Sequence, residues 1–455
     1  MDEHPHPTAH LTPDPAGAAE TALTIDGERT GWRAFVIDLA PLRVSREFRL
    51  LFTGQAVTLF GSMMTFVALP MQTFQLTHSS FAVGMLSVAE FVPMITMAFV
   101  GGALADYVDR RRMVRATEAL LAAGTLMLVL NSLAPRPHVW ILFVFAGVFA
   151  GLNGLQRPSL DALVPRVVPP ELIASAAALR SLSGSIGTIG GPALGGFLVA
   201  TLGTTVTYSI DFATFFVSLV ALWLMRAVPP PLDADRPSLK SVADGVRYAI
   251  NRQELLGTYL VDINAMFFAM PMALFPAIAD RFGGASAGLL YSAPAVGALG
   301  VTLTSGWTAR VHRHGLAVAL AAAGWGVAIV AFGMAPTLPL ALACLVTAGA
   351  ADMVSGLFRM TIWNQTIPDH LRGRLAGIEM VSYMSGPQLG NARAGTVASL
   401  VGVRPSVISG GLLCIAGAIV LTFLLPDFLR YNGRDGLSRK RAEEDARLAA
   451  REGDR

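Results

Sequence analysis

The chain has 455 residues, enough for two or three soluble domains, but 53% of them are hydrophobic and only 14% are charged. Soluble domains carry about a quarter charged residues, and a mean hydropathy of +0.55 excludes that class. The net charge of +3 does not argue for a nucleic-acid partner, because the basic residues sit where membrane topology would put them.

Residues 1–44 are rich in Pro, Ala, Thr and His and lack an apolar core, so they read as a disordered tail and not a signal peptide. Within them, Trp32, Phe35, Val36 and Leu39 fall at helical spacing beside Arg33, which fits a helix lying on a membrane surface or a partly ordered tail. Apolar runs long enough to cross a bilayer then recur. They predict spans near 49–74, 81–104, 113–133, 138–160, 172–201 and 204–228. After a polar segment come spans near 255–279, 285–308, 314–335, 337–362, 374–400 and 404–429. Pro70, Pro93, Pro192, Pro271 and Pro294 lie inside these spans as bend signals.

The polar segment, 229–254, contains a run of three prolines and a predicted surface helix from Ser238 to Asn251. It separates a six-span bundle over 45–228 from another over 255–429, and a charged tail follows over 430–455. A repeat supports that division. Gly154-Leu155-Gln156-Arg157 recurs as Gly356-Leu357-Phe358-Arg359, and Gly191-Pro192-Ala193-Leu194-Gly195-Gly196 as Gly386-Pro387-Gln388-Leu389-Gly390-Asn391. Between them, Pro169-Pro170-Glu171-Leu172 matches Pro368-Asp369-His370-Leu371. The expected fold class is all-α: a polytopic membrane protein with twelve transmembrane helices in two six-helix bundles, the layout of a rocking transporter.

Of the 34 Lys and Arg residues, 27 fall in one set of alternate loops and tails, and three (Arg136, Arg281, Arg404) in the other. Four more, Arg157, Arg180, Arg359 and Arg393, lie within spans. By the positive-inside rule both termini and the middle segment are cytoplasmic. Arginine and alanine are plentiful and lysine is confined to Lys240 and Lys440, a usage that looks like that of GC-rich bacteria, so the expected location is a bacterial inner membrane. The two cysteines, Cys344 and Cys414, both inside spans, provide no metal-ligand spacing.

Three features carry chemistry. The first is the loop between spans two and three, Gly102-x-x-x-Asp106-Tyr107-x-Asp109-Arg110-Arg111-Arg112. It resembles motif A of the major facilitator superfamily, in its Gly102, Asp106, Arg111 and Arg112 core. Tyr107 stands where that motif has a basic residue, and Asp109 where it has a second glycine. The variant is similar to the drug and siderophore exporter branch, of the enterobactin-exporter and macrolide-efflux type. A plain positive-inside loop explains the arginines but not Asp106 at that spacing. The resemblance implies that Asp106 caps the start of span eleven, near Arg372. Arg110, Arg111 and Arg112 are then expected to pair with Asp161 or Glu118 and close an inner gate.

The second feature is Gly187-x-x-x-Gly191-Pro192-x-x-Gly195-Gly196 in span five, which matches the superfamily's antiporter motif and implies export in exchange for protons. Read from the residues alone, it is a helix-packing glycine face. The matching loop of the second half, Gly306 to His314, lacks the aspartate.

The third is a set of ionisable residues inside spans: Glu90, Asp211, Asp262, Asp352 and Arg393. A charge at the bilayer centre costs on the order of 3 kcal/mol, so such residues face the bundle interior or a cavity. Glu90, Asp262 and Asp352 are the candidate proton carriers. Buried ion pairing with Arg359 or Arg393 is the alternative role. Met63, Met64, Phe66, Met71, Phe74, Met266, Phe267, Phe268, Met270 and Met272 suggest adaptable walls for an amphipathic organic substrate, although such residues also line most membrane helices.

No P-loop, metal-ligand pattern or nucleophile-base pattern is present, so no cofactor, metal or catalytic residue is expected and the chain does not read as an enzyme. The expected partners are a small-molecule substrate, protons and the lipid bilayer, with a monomeric chain. The expected function is secondary active, proton-coupled efflux of a drug, secondary metabolite or siderophore. The alternatives are a solute-uptake symporter and a non-transporting membrane sensor that keeps the fold.

Overall fold

A peptide group in lipid has no water to bond, so an apolar run must satisfy its backbone internally and becomes a helix. In the computed structural model, which describes residues 38–104, 109–226, 248, 252–368, 372–433, 436–438 and 440, this holds throughout. Ten helical segments among the described residues are long and apolar enough to cross a bilayer.

The first bundle contains α1 (Arg46–Thr77), α2 (Ser80–Leu104), α3 (Arg110–Leu133) and α4 (Val139–Val167). The run Ile173–Leu224 then makes two passes, because Gly203 adopts φ 83, ψ 170 and reverses the chain. We number residues 173–202 as α5 and 204–224 as α6. The second bundle contains α7 (Gln253–Ala269, continued by Phe275–Phe282), α8 (Ser286–Leu303), α9 (His314–Met334), α10 (Leu338–Thr366), α11 (Arg372–Val401) and α12 (Val403–Leu424). The order is consistent with twelve passes, α11 being a 30-residue helix packed on α2 and α7.

Several boundaries differ from expectation for local reasons. The sixth and twelfth spans end at Leu224 and Leu424, short of 228 and 429. After α12, Leu425 leaves helical geometry and Pro426 opens a separate short helix, Pro426–Arg430. The eighth span stops at Leu303 and the 3-10 turn Ser305–Arg310 carries the chain onward. Of the five proline bend signals, only Pro271 breaks its helix; Pro70, Pro93, Pro192 and Pro294 lie within continuous helices. The surface helix expected over Ser238–Asn251 lies outside the described residues except for the helical Tyr248. Likewise Trp32, Phe35 and Val36 lie outside them; a short helix at Ala40–Val44 leads into α1.

The break in α7 is repaired by side chains of other helices. Asn391 of α11 accepts the Ala273 N–H on its side-chain oxygen at 3.0 Å. Tyr291 of α8 donates its hydroxyl to the Met272 carbonyl at 3.0 Å. Both bonds go to backbone groups at the break: the Ala273 N–H lies in the first turn after it, and the Met272 carbonyl has Pro276, which has no N–H, at its i+4 position. This span is also the most enclosed: 72% of its window is buried, against 28–56% for the others.

The sequence repeat reappears as repeated packing. Gly191 and Gly195 seat α5 on Met63 and Met64 of α1, and Gly386 and Gly390 seat α11 on Met266 of α7. Across the two halves, Gly196 of α5 meets Gly288 of α8, and Gly395 of α11 meets Gly84 of α2. These approaches lie toward the end of the bundle where short turns join α1 to α2 and α5 to α6. At that end the halves are in contact. Toward the opposite, arginine-bearing end α5 and α8 part: nothing lies within 4 Å of where a Cβ on Gly184 or Gly300 would be, and Ile186 and Leu303 are exposed.

Candidate translocation site

The arginine loop between α2 and α3 is described only from Asp109 onward; Asp106 and Tyr107 lie outside the described residues, and of Gly102 only the helical backbone is described. Asp109 is the N-cap of α3, its carboxylate accepting the Arg111 and Arg112 amides at 2.9 and 3.2 Å. A capping aspartate at the positive end of a helix accounts for this departure from motif A. The expected pairing of Arg110, Arg111 and Arg112 with Asp161 or Glu118 is not what the structure contains. Arg110 is buried and donates to the Ala162 carbonyl at 3.3 Å. Arg111 donates to the Leu222 and Trp223 carbonyls, both at 2.8 Å, capping the C-terminal end of α6. Arg112 is exposed and, among the described residues, pairs with Asp109 alone, at 3.7 Å. Asp161 pairs instead with Arg180 of α5 at 2.8 Å, within the same bundle, while Glu118 lies buried inside that bundle.

The glycines of α5 serve two interfaces. Gly187 faces Leu59 and Gly191 faces Met63, and a Cβ on Gly195 would lie 2.7 Å from the Met64 Cα. These three remove the spacing side chains between α5 and α1, so the helices pack backbone to backbone. Gly196 turns the other way and lies against Gly288 of the second half, with Pro192 one turn earlier presenting its carbonyl to the same glycine. Next to this contact, Ser292 of α8 donates to the Ile189 carbonyl at 2.6 Å.

The charged residues in the spans fall into separate environments. Arg359 of α10 forms a buried ion pair with Asp262 of α7, and its other nitrogen lies 4.0 Å from Asp352. The three form a triad with unequal access: the Asp262 and Arg359 side chains are 7% and 9% exposed, the Asp352 side chain 44%. Arg393 does not take the role of ion-pair partner among the described residues. Its guanidinium lies against Gly410 of α12, with Nε buried and unbonded. The other arginine of the repeat, Arg157, is exposed.

Glu90 of α2 sits between the halves, accepting a hydrogen bond from Gln388 of α11 at 3.0 Å. Phe66 of α1, 43% exposed, packs edge-on to Tyr291 of α8 with ring centroids 5.6 Å apart. Glu90–Gln388 and Phe66–Tyr291 thus join the two halves, the second pair within one turn of the Gly196–Gly288 contact. Met64, Met71, Met266 and Met270 are buried packing residues and not cavity walls. Among the residues missed from sequence, Gln388 had a signal: it is a polar residue in mid-span where the first repeat has Ala193. Tyr291 had none, because its role depends on the broken α7 beside it.

The comparisons agree with this architecture. A family model described as transmembrane secretion effector matches residues 37–453. The enterobactin exporter EntS of Shigella boydii serotype 18 is 30% identical over 399 residues, spanning 86% of this chain and 95% of the relative; the exporter of Escherichia coli O1:K1 matches to the same extent. Among solved structures, a POT family transporter in complex with 5-aminolevulinic acid superposes with a TM-score of 0.67 at 13% identity, over 84% of this chain and 97% of that one. A bacterial homologue of the iron transporter ferroportin, in an inward-facing state, superposes with a TM-score of 0.64 at 14% identity, over 85% and 99%. The two solved structures show the shared fold alone, whereas the family match spans nearly the whole chain: this protein belongs to the transmembrane secretion effector family of major facilitator transporters.

Proposed function

We propose that this transporter exports an amphipathic organic small molecule, a drug-like compound, secondary metabolite or siderophore, in exchange for protons. The observation that carries the reading is that the halves meet at one end while α5 and α8 part toward the other, beside the Phe66–Tyr291 and Glu90–Gln388 contacts between halves. The 27-to-3 bias of basic residues orients the splayed end toward the cytoplasm of a bacterial inner membrane, with both termini inside. A substrate then enters from the cytoplasm, and rocking of the halves about the α2/α11 and α5/α8 contacts opens the other side. The chain acts as a monomer.

Likeness to enterobactin exporters supports export and an organic cargo. Coupling falls to Glu90, Asp262 and Asp352. Protonating Asp262 leaves Arg359 to Asp352 alone, so proton occupancy alters the tie between α7 and α10; protonating Glu90 alters the tie between α2 and α11. Gly102, Asp106 and Arg110 to Arg112 form the inner gate. Everted vesicles containing the protein test this directly. Substrate addition should release protons, and transport that ignores a collapsed proton gradient would refute the coupling.

A further inference from the structure

A polar seam runs along the α1/α6 interface inside the first bundle, away from both the α7/α10 triad and the contacts between halves. At its lower end Glu118 of α3 is 2% exposed. One carboxyl oxygen accepts from Gln55 of α1 at 2.8 Å and from Gln156 of α4 at 3.0 Å. The other oxygen, Oε2, is buried and has no hydrogen-bond partner. Further along, Asp211 of α6 is fully buried and accepts from Thr65 at 2.5 Å and Thr214 at 3.3 Å. Tyr208 continues the seam, donating to Gln72 at 2.9 Å.

Neither acid has a counter-charge among the described residues. The groups facing Glu118 are Gln55 and Gln156, with Ser218 of α6 beside Gln55 at 3.5 Å, and none is charged. Those facing Asp211 are Thr65, Thr214 and the backbone at Gly61. Each acid's titratable neighbour along the seam is the other acid, with Tyr208 one turn from Asp211. No Arg, Lys or His forms an ion pair with either among the described residues. A buried carboxylate with one oxygen unbonded and no cation is costly by several kcal/mol, and the neutral acid costs less. Two amide donors on one oxygen suit the carbonyl of a neutral acid.

We propose that Glu118 and Asp211 form a second proton-binding site, inside the first bundle and independent of the Asp262–Arg359–Asp352 triad. On binding, a carboxylate takes a proton from water and becomes a carboxylic acid; on release the proton returns to water, and no other bond changes. Gln55, whose amide holds Glu118, is half-buried as a residue, and exchange runs along it. Only the use of this site in coupling rests on the proton-exchange reading above.

The test is infrared spectroscopy of the full chain in liposomes, titrated from acid to alkaline buffer, for the wild type, Glu118→Gln and Asp211→Asn. The expected result is a protonated-carboxyl band that disappears on titration and is reduced in each variant. Glu118→Gln, which mimics the neutral acid, should keep the wild-type melting temperature. No band that responds to either substitution, or one that persists unchanged through the whole titration, overturns the site. Vesicle transport on the same samples separates the two proposals. Absent proton release with a titrating Glu118 band removes the exchange reading and leaves the site; proton release without such a band does the reverse.

Discussion

Replacing Gly196 with alanine should shift which end of the transporter is open. The glycine of α5 lies against the Gly288 backbone of α8, and an added methyl group runs into the Gly288 nitrogen and Cα, neither of which can rotate away. Overpacking of this kind costs about 1–3 kcal/mol. Because the contact joins the two halves at the closed end, the cost falls on the observed state and not on one in which that end has opened. A difference of that size moves the equilibrium between the two by roughly 5- to 150-fold. Spin labels on cysteines introduced at the exposed positions Arg136 and Thr337, with Cys344 and Cys414 replaced, would read the distance between halves at this end. The long-distance population should rise in Gly196→Ala. Gly195→Ala is the control, because Gly195 packs on Met64 within one bundle; it should lower thermal stability and leave the distances alone. An unchanged distribution in Gly196→Ala, with lowered stability, would mean that the α5/α8 contact persists in both states, and the rocking argument would fail.

Removing one member of the buried Asp262–Arg359 pair strands the other, at a cost of about 3–5 kcal/mol. Asp262→Asn and Arg359→Gln should each lower the melting temperature in detergent, and the double variant should recover much of the loss; additive losses would argue against a pair. Arg111→Gln loses two charged bonds to the end of α6, about 1–2 kcal/mol after allowance for exposure. Arg112→Gln should stay within about 0.5 kcal/mol, and equal effects in denaturation would contradict the capping role. Asp106→Asn should reduce vesicle transport while membrane expression holds, and normal turnover would exclude Asp106 from the gate.

Sequence alone determined what depends on the solvent. Apolar runs of spanning length must be helices in lipid, so the succession of spans and the repeat could be read from the residues. The gap expected between 201 and 204 falls where Gly203 turns the chain, but the twelfth span was expected to run to 429, past Pro426, which opens a separate helix. The glycines of α5 were recognisable for the same reason: no other residue lets two helices touch along their backbones. What sequence could not decide was the direction in which a polar side chain leaves its helix. Asp161 was placed beside the arginines of the loop because it lies at the same end of span four, and Glu118 was the other expected partner. In the fold Glu118 turns inward to Gln55 and Gln156 and Asp161 sideways to Arg180. Arg359 and Arg393 carry the same charge on neighbouring spans, yet among the described residues Arg359 meets carboxylates and Arg393 does not. A helix has one axial repeat but many possible neighbours, and the partners of its buried charges are settled only when the neighbours are packed.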